Sequence, residues 1–346
     1  MTGTLLILNA GPAVTIQDLG RPNRVAQGLS EGGAADRLAV FEAAAILGSA
    51  TVLPAIEMAT TGGTFQVSHP TRFALTGATM KAAIDGVQIA WNRSHILMPE
   101  QTLTIGAVQS GTYGYLTPAR PIATPYWQDS QSAHLLAGIG AQLSAGDTLG
   151  LGDDPTPDRV DHAMLPSDRF NGGTVRYVAG PQSDLFSEDT QTRFQTTHFT
   201  RSAQANRQGV KLDGGAPFVP DTPKGLASDF IHLGDIQMTG EGLPYVLLTE
   251  CQTIGGYPRI GTVIPADIPK IAQAPIGAAL RFECITLAQA DAVCPPDAAI
   301  LSSLRNQARP CIRNPKDIPN LLSYQLISGM ITGLDGNDTE CKKQSI

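Results

Sequence analysis

Glycine and proline interrupt this chain often enough to limit what it can fold into. The 346 residues include 36 glycines and 25 prolines, about one residue in six, against about one in eight in average proteins. Between them lie short apolar runs such as TLLILN, TFQVS and RFALTG. Because both residues weaken helix interiors and punctuate turns, the sequence predicts a mainly β fold with a few short helices.

Two local signals are strong enough to place single elements. The Asp85-Gly86 pair lies between apolar runs and predicts a tight hairpin turn. Apolar residues recur at helical spacing over 37–47, with Asp36 in the capping position before them and Gly48 directly after. The sequence therefore predicts one helix among the first strands.

A turn-and-strand pattern occurs once in each half of the chain. Gly146 precedes Leu149 by three residues in LSAGDTLGLG, and Gly277 precedes Leu280 by three residues in APIGAALRF. The repetition predicts two related β units.

Composition shifts divide the chain into four predicted regions. Residues 1–155 form a first β-rich domain, and the polar, proline-rich stretch 156–173 is typical of a linker. Residues 174–286 form a second β-rich domain, and residues 287–346 form a helical C-terminal tail. Apolar residues recur at helical spacing in that tail at Leu321, Leu322, Leu326, Ile327 and Ile331. Either a partner protein or the chain's own domain would cover that face.

The charge, cysteine and histidine patterns exclude several kinds of partner. The net charge is −7 and no block of Lys or Arg occurs, so we expect no nucleic acid. No apolar run reaches the roughly 18 residues of a membrane span. The five cysteines lack C-x-x-C spacing, and the six histidines are scattered. We therefore predict no disulfide framework and no bound metal, in a reduced, cytoplasmic protein without membrane contact.

Two familiar patterns are interpreted as coincidences. GLSEG fits G-x-S-x-G around Ser30, but a nucleophile elbow needs a buried strand before it, and RPNRVAQ cannot form one. Ser30 is therefore interpreted as a loop residue. ATMKA resembles the Met-Lys of a biotin-carrying hairpin, yet Lys81 precedes the predicted turn and is interpreted as a surface lysine. No glycine-rich phosphate loop occurs.

The loop GPAVTIQDLGRP collects polar side chains directly after a strand. Gln17, Asp18 and Arg21 lie beside Gly20 and Pro22, which fix the backbone. Arg21 is suited to clamp a carboxylate or phosphate. Alternatively, Asp18 and Arg21 pair with each other and brace the turn.

A second loop, CQTIGGYPRIGTVIPADIPKIAQ, follows the apolar run LPYVLLTE. Its Gly255-Gly256 pair lets backbone amides approach a ligand closely, beside the neutral hydrogen-bonding groups of Gln252 and Tyr257. Alternatively, these residues form a sharp turn, followed by a short helix that Asp267 caps.

Four segments occur together in an order and spacing that resembles a known family. They are GPAVTIQDLGRP…GLSEGGAADRLA, NRQGVKLDG, GDIQMTGEGLPYVLLTECQTIGGYPRIGTVIPADIPKIAQ and APIGAALRF, within residues 4–290. The family is variously called allophanate hydrolase subunit 2, the urea amidolyase-related or biotin-dependent carboxyltransferase family, and the C-type subunit of 5-oxoprolinase. The resemblance implies two cyclophilin-like β-barrel units, in agreement with the repeated pattern.

The resemblance also implies partners and a reaction. Members act with a B-type subunit, known as allophanate hydrolase subunit 1 or as the B-type component of 5-oxoprolinase, on a small amide or ureido substrate. We expect the C-type subunit of a heteromeric 5-oxoprolinase, which opens 5-oxoproline with ATP in the complex. The alternatives are a carboxyltransferase-type subunit of a biotin-dependent urea carboxylase or allophanate system, and a non-catalytic regulatory binding protein of the B-type partner. No biotin attachment is predicted in this chain.

The chemistry of a small amide assigns roles to the two loops. The reaction needs donors aimed at a developing oxyanion and neutral groups that hold the amide. The predicted catalytic residues are Gln252, Tyr257 and Asp18. The predicted substrate-binding residues are Gln17, Arg21, Arg207, Gly255 and Gly256. The two arginines are assigned to a substrate carboxylate.

Two arginines that the resemblance implies are missing. Relatives usually read G-S-R-S-T where this chain has Gln131, and D-R-Q-T where it has Cys251. Asn206 stands where an acidic residue is usual. Each missing arginine costs on the order of 1.5–3 kcal/mol of charge-assisted hydrogen bonding if nothing replaces it. Arg120 is one candidate replacement; a divergent, inactive paralogue is the alternative.

Overall fold

Strands are the predominant regular secondary structure, which confirms the mainly β class. The structure is a computed structural model of the 346-residue chain that describes residues 3–221 and 226–311. Within these residues the strands form an eleven-stranded sheet, a closed seven-stranded barrel and a two-stranded ribbon. We call the first the N-terminal sheet and the second the C-terminal barrel.

The N-terminal sheet is built around two long antiparallel strands. Its strands are β1 (Gly3–Ala10), β2 (Val14–Gln17), β3 (Ala55–Ala59), β4 (Gly63–Val67), β5 (Thr71–Ile84), β6 (Val87–Gln88), β7 (Arg93–Leu97), β8 (Leu103–Pro118), β9 (Thr148–Leu151), β10 (His162–Ala163) and β20 (Arg309–Pro310). The main order is β20-β10-β7-β5-β8-β4-β1-β9, while β3 joins β2 to β8 and β6 pairs with β5. The register between β5 and β8 shifts three times, and such bulges bend paired strands.

The C-terminal barrel closes through one parallel pair. Its strands are β11 (Gly173–Val178), β12 (Phe199–Ala205), β13 (Gly209–Asp213), β15 (Asp235–Met238), β16 (Pro244–Leu247), β18 (Arg259–Val263) and β19 (Ala279–Cys284). The order is β11-β18-β15-β16-β13-β12-β19, and β19 runs parallel to β11 to complete the ring. The separate ribbon pairs β14 (Asp229–Phe230) with β17 (Ile254–Gly255).

Helix α1 (Arg37–Leu47) begins and ends at the capping residues that the sequence predicts. The Asp36 carboxylate accepts a hydrogen bond from the Ala39 amide, and Gly48 adopts a left-handed φ of 76°. The other helices are α2 (Glu188–Thr196), α3 (Ile268–Gln273), α4 (Leu287–Val293) and α5 (Asp297–Gln307). Among the described residues, no helix is both long and apolar enough to cross a membrane.

The predicted turns are confirmed in both halves. The hairpin between β5 and β6 turns through Asp85, whose φ is 49°. Gly146 and Gly277 both have positive φ, at 95° and 81°. Each leads into a strand whose leucine is buried, Leu149 in β9 and Leu280 in β19. The repeated sequence pattern therefore corresponds to a repeated structural device.

Strand pairing crosses the predicted domain boundaries, which themselves stay predictions. β10 lies in the predicted linker and pairs with β7, and β20 lies in the predicted tail and pairs with β10. The predicted tail also contains α4 and α5. Residues 312–346, with the predicted apolar helical face, lie outside the described residues.

One hydrophobic core joins the N-terminal sheet to the C-terminal barrel. It contains Tyr113 and Tyr115 of β8 together with Val175 of β11 and Ile271 of α3. Within the barrel, four phenylalanine rings pack with centroids 5.1–5.7 Å apart. The N-terminal sheet has a further core of its own. This shared core fixes the position of the loop after β2 relative to the loop after β16.

Candidate functional site

The loop after β16 carries the glycine pair and bends back over the barrel. β17 begins inside this loop and pairs with β14, so that Gly255 lies opposite Asp229. A Cβ on Gly255 would lie 3.1 Å from Gln237 Nε2, and one on Gly256 would lie 3.3 Å from the Leu226 carbonyl. The glycines therefore let the loop pack closely on its own barrel, which is a structural reason for their presence.

A cavity of about 360 Å³ opens beside this loop. We call it the carboxamide cavity, because five side-chain amides line it: Gln204, Asn206, Gln208, Gln237 and Gln252. The hydroxyls of Tyr245 and Tyr257 also line it, and Tyr257 is 52% exposed. None of the described residues that line it carries a charge at neutral pH. Its volume falls in the range of small-molecule sites.

A second cavity of about 440 Å³ adjoins the first. We call it the Ser30 cavity, since Ser30, His134 and Glu250 contribute to its wall. The two cavities share Gln208, Cys251 and Gln252. The exposed Gln252 side chain therefore borders both spaces.

Arg207, in the turn between β12 and β13, lies between two carboxylates of the protein. Its Nε donates to Glu250 (2.6 Å), its Nη1 contacts Glu57, and its Nη2 donates to the Gly33 carbonyl (2.6 Å). Burial alone would lower the pKa of Arg207, but the two carboxylates outweigh burial and raise it above its ordinary value. Each guanidinium nitrogen of Arg207 thus contacts the protein itself.

Glu57 in β3 connects this arginine to the shared core. Its Oε2 accepts hydrogen bonds from the Tyr115 hydroxyl (2.7 Å) and the Ala35 amide (2.8 Å). Burial, followed by the charges of Glu57 and Asp36, raises the pKa of Tyr115 above its usual range, so its hydroxyl stays protonated. Arg207, Glu57 and Tyr115 form a continuous buried chain of polar contacts.

Asp18 is held by groups of its own neighbourhood. Its carboxylate accepts hydrogen bonds from the Gly20 amide (2.8 Å), the Ser130 hydroxyl (2.7 Å) and the Gln131 amide (2.7 Å), and also contacts Ser132. Asp18 lines neither cavity. These contacts fasten the loop after β2 to the segment around Ser130, rather than pairing Asp18 with Arg21.

Gln17 and Arg21 lie beneath the surface. Gln17 is 0% exposed, donates to the Ala133 carbonyl, and has no partner for its Oε1 among the described residues. Arg21 is 1% exposed and donates through Nη2 to the Ser132 carbonyl (2.5 Å), with its guanidinium 5.6 Å from the Trp127 ring centre. Burial lowers the pKa of Arg21, against the charges of Asp18 and Glu250.

One atom of this loop reaches toward the Ser30 cavity. Arg21 Nη1 has no hydrogen-bond partner among the described residues. A Cβ built on Gly32 would lie 3.1 Å from this nitrogen and 3.7 Å from His134 Cδ2, so Arg21 approaches the imidazole that lines the cavity. Arg21 and Arg207 thus lie near His134 and Glu250, whereas Gln252 borders the cavities themselves. Of the predicted side chains, Gln252 and Tyr257 line a cavity, and Gln17, Asp18, Arg21 and Arg207 line neither. The two arginines are instead occupied by, or buried against, groups of the protein.

Sequence reasoning missed a close pair of side chains in this region. Ser30 Oγ lies 2.8 Å from His134 Nε2, and each residue is 5% exposed. The G-x-S-x-G pattern marked Ser30, but 104 positions separate it from the histidine. No local sequence signal joins the two residues.

Comparison with known proteins identifies the family of this chain. A profile of the family described as "Carboxyltransferase domain, subdomain A and B" matches residues 27–284. The chain belongs to this family. It is 32% identical over 291 residues to the C-type subunit of 5-oxoprolinase from Escherichia coli, covering 83% of this chain and 93% of that protein. It is 30% identical over 289 residues to the Haemophilus influenzae protein of the same name, covering 82% and 92%. The resemblance predicted from the motifs is confirmed.

A solved structure shares the fold of this carboxyltransferase-domain protein. The urea amidolyase of Kluyveromyces lactis superposes with a TM-score of 0.78 at 23% identity. The match covers 90% of this chain but only 21% of that longer one. The two relatives described above are named as subunits of an enzyme, and the chain spans nearly all of their length.

The two positions at which the resemblance implies an arginine hold neutral side chains, Gln131 and Cys251. The Gln131 side chain donates to the carbonyls of Ile122 (2.8 Å) and Thr124 (2.9 Å), which fixes its own segment. Cys251 is buried, and burial, followed by the charge of Asp235, raises the pKa of its thiol to about 12. Of the two residues only Cys251 lines the cavities, and it adds no cation to their walls.

Arg120, the suggested replacement for a missing arginine, lies away from both cavities. Arg120 donates to the Gly152 carbonyl (3.0 Å) and lies 3.7 Å from Asp153, and it lines neither cavity. In the described part of the chain, no group of three or more His, Cys, Asp or Glu side chains is arranged to hold a metal ion.

Proposed function

We propose that this protein is a subunit of a heteromeric enzyme that acts on a small cyclic amide or urea-like compound. The C-type subunit of a 5-oxoprolinase, which opens 5-oxoproline with ATP beside a B-type partner, fits best. The similarity to two subunits of that name over most of the chain supports the reaction class. The observation that carries the amide or urea-like substrate class is the carboxamide cavity, where amide and hydroxyl groups converge without a charged side chain.

The groups in this cavity suit an amide ligand. An amide presents one carbonyl acceptor and N–H donors, and a carboxamide side chain can match both at once. In our proposal Gln252 and Tyr257 donate to the carbonyl oxygen as negative charge develops on it, and Gln237 and Gln208 hold the N–H groups. Gly255 and Gly256 line neither cavity, so in our proposal they shape the loop that presents Gln252 and Tyr257.

Neither the carboxamide cavity nor the Ser30 cavity suits the phosphates of ATP. The carboxamide cavity has no cationic side chain, and Glu250 with its partner Arg207 leaves the Ser30 cavity without a spare basic group on its wall. A triphosphate needs several such donors or a glycine-rich loop. In our proposal ATP is therefore assigned outside these two cavities.

The test uses the complex reconstituted with the other subunits of a bacterial 5-oxoprolinase. We expect ATP hydrolysis that depends on 5-oxoproline. Gln252→Ala should lower kcat/KM at least about tenfold, because it removes a donor to an oxygen that gains charge. Gln88→Ala, an exposed glutamine in the β5–β6 hairpin, is the matched control and should leave the rate unchanged.

Two outcomes would contradict this proposal. ATP hydrolysis at a rate that does not depend on 5-oxoproline would contradict the 5-oxoprolinase assignment. An unchanged rate for Gln252→Ala removes the carboxamide cavity from the reaction. Both variants should melt at the wild-type temperature, because both side chains are exposed.

The uncharged wall of the cavity also favours a second candidate. Urea is neutral, whereas 5-oxoproline carries a carboxylate for which this wall offers no cation. A carboxyltransferase-type subunit would transfer a carboxyl group from a biotin carried by another protein to urea. Urea-dependent loss of carboxybiotin in the presence of this chain would support that function. A complex that binds its partner but turns over neither compound would leave the regulatory role.

A further inference from the structure

The Ser30–His134 pair is arranged differently from a serine nucleophile and its base. His134 begins the short 3₁₀ turn Leu135–Ala137, and the Ala137 amide donates to His134 Nδ1 (3.3 Å). Since Nδ1 accepts a hydrogen bond, a neutral His134 carries its proton on Nε2. That nitrogen lies 2.8 Å from Ser30 Oγ and therefore donates to it.

The imidazole remains neutral in this environment. Burial lowers the pKa of His134, and the positive charges of Arg21 and Arg207 act in the same direction, against the charge of Glu250. A base for Ser30 would need the Nε2 lone pair, which the Nε2–H tautomer lacks. The pair is therefore not set up for nucleophilic attack.

The same geometry leaves the Ser30 proton available. Ser30 Oγ accepts from His134, and among the described residues its hydroxyl hydrogen has no other acceptor. Ser30 and Gln252 both line the wall of the Ser30 cavity. A hydrogen bond accepted by a hydroxyl polarises it and makes it a better donor.

We propose that Ser30 donates a hydrogen bond to the carbonyl oxygen of an amide or ureido ligand in the Ser30 cavity. His134 is a positioning residue that orients the serine hydroxyl and increases its donor strength. The ligand class rests on the proposed function, but the subsite requires only a neutral carbonyl compound. The Ser30 cavity is then the second half of a binding region that Gln252 joins to the carboxamide cavity.

The first experiment measures binding to the full-length chain without its partners. The probes are 2-pyrrolidinone and its thiocarbonyl analogue 2-pyrrolidinethione, which has the same shape but a weaker acceptor. We expect Ser30→Ala to lower the ratio of the two affinities about fivefold, the effect of one neutral hydrogen bond. Ser68→Ala is the matched control, because Ser68 Oγ lies 2.9 Å from His69 Nδ1 at an exposed site.

Two results would overturn the proposal in this experiment. If Ser30→Ala weakens both probes equally, the serine only supports the local structure. If the wild-type protein binds neither probe at any concentration up to the solubility limit of the probes, the subsite does not accept a carbonyl compound.

The second experiment tests the role of His134 with nitrogen-15 NMR of its ring. We expect the Nε2–H tautomer in the free protein and a shift of the Nε2 resonance when 2-pyrrolidinone binds. His134→Gln keeps an N–H donor near the same place and should retain most of the affinity ratio, whereas His134→Leu should lose it. A ring with its proton on Nδ1, or equal loss in both variants, would contradict the positioning role.

These results are independent of the reaction test. If the reconstituted complex lacks 5-oxoproline-dependent ATP hydrolysis but Ser30→Ala still changes the probe ratio, the proposed function is wrong and the subsite remains. If the complex is active and the ratio does not change, the subsite is wrong and the proposed function remains.

Discussion

Arg207 lies near a cavity, but its guanidinium is bound to other groups of the protein. The guanidinium contacts Glu57, Glu250 and the Gly33 carbonyl. Both carboxylates are nearly inaccessible, with exposures of 2% and 5%. A buried ion pair contributes little against an apolar replacement, but removing one partner leaves a buried charge uncompensated.

We expect Arg207→Ala to destabilise the fold strongly. The variant leaves two buried carboxylates without a cation, a change that costs about 3–5 kcal/mol of the free energy of unfolding. Arg37→Ala breaks the half-exposed pair with Asp297 (2.7 Å) and should cost at most about 1 kcal/mol. Urea unfolding at pH 7 measures both. Equal losses would show that the charges around Arg207 are solvated, contrary to the structure.

Some residues of the site can be predicted from neighbouring positions in the sequence, whereas others can be recognised only from the tertiary structure. Gln252 and Tyr257 follow from a single loop, because a glycine pair beside neutral polar groups is readable from a few neighbouring positions. Ser30 and His134 belong to segments that only the tertiary fold brings together, so neither could be assigned to the other. The burial of Gln17 and Arg21 depends on the segment around Ser132, which is equally remote in sequence.

Asp267, at the start of helix α3, has a different role from the helix cap that the sequence predicts. Asp267 occupies the N-cap position of α3, as predicted, but its side chain makes no capping hydrogen bond. It accepts instead from the Arg176 side chain of β11 through both oxygens, at 2.8 and 2.9 Å. The carboxylate therefore joins α3 to the barrel wall.

This contact predicts a pH dependence of stability. Burial alone would raise the pKa of Asp267, but the hydrogen bonds from Arg176 outweigh it and hold the pKa below its ordinary value of about 3.9. The resulting stability is complete above that pH and is lost as the pH falls through the lower folded value. Asp267→Asn should lower the free energy of unfolding by about 2 kcal/mol at pH 7, the value of a charged hydrogen bond.

Below about pH 4 the difference between Asp267→Asn and wild type should narrow, because wild type loses the same interaction. Urea unfolding at pH 7, 5 and 3 measures the difference. Asp158→Asn, at an exposed position, is the control and should follow wild type throughout. A constant difference across this range would mean that Asp267 does not titrate with folding.

Helices and strands could be predicted where their sequence patterns lie within a few neighbouring residues. Helix α1 has helical spacing and both caps in sequence, and the structure reproduces its bounds. Helix α2 was missed, because Phe194 is its only buried residue and so leaves no apolar stripe. Strand β8 contains two short apolar runs, TLTIGA and YGYLTP, whose continuity no local signal indicates; register shifts against β5 allow this single strand to bend.

At the scale of the whole molecule, a buried polar contact accompanies the shared core. The side chain of Gln273, at the end of α3, accepts from the amides of Thr112 (2.9 Å) and Tyr113 (3.0 Å) in β8. It donates to Asp36 (2.7 Å), which in turn pairs with Arg169 (2.7 Å). The C-terminal barrel is thus attached to the N-terminal sheet by both apolar and polar groups.

The two related units could be predicted, but their docking could not. The repeated glycine and leucine pattern is local, and it marks β9 and β19 correctly. The docking depends on Gln273 meeting the backbone of β8 about 160 positions earlier, which no sequence period reveals. The same holds for β20, whose pairing with β10 returns the chain to the N-terminal sheet.

Because one core spans both units, we expect them to unfold together. The chain has two tryptophans, Trp91 and Trp127, and both precede the barrel, so their fluorescence reports the N-terminal part. Far-ultraviolet circular dichroism reports both parts. The two probes should give coincident urea transitions. Gln273→Ala leaves two buried amides without acceptors and should lower the free energy of unfolding by about 3–5 kcal/mol, with the transitions still coincident. Gln88→Ala, the control, should change neither the free energy of unfolding nor the coincidence of the two transitions. Different midpoints for the two probes in the wild-type protein would show that the shared core does not couple the units.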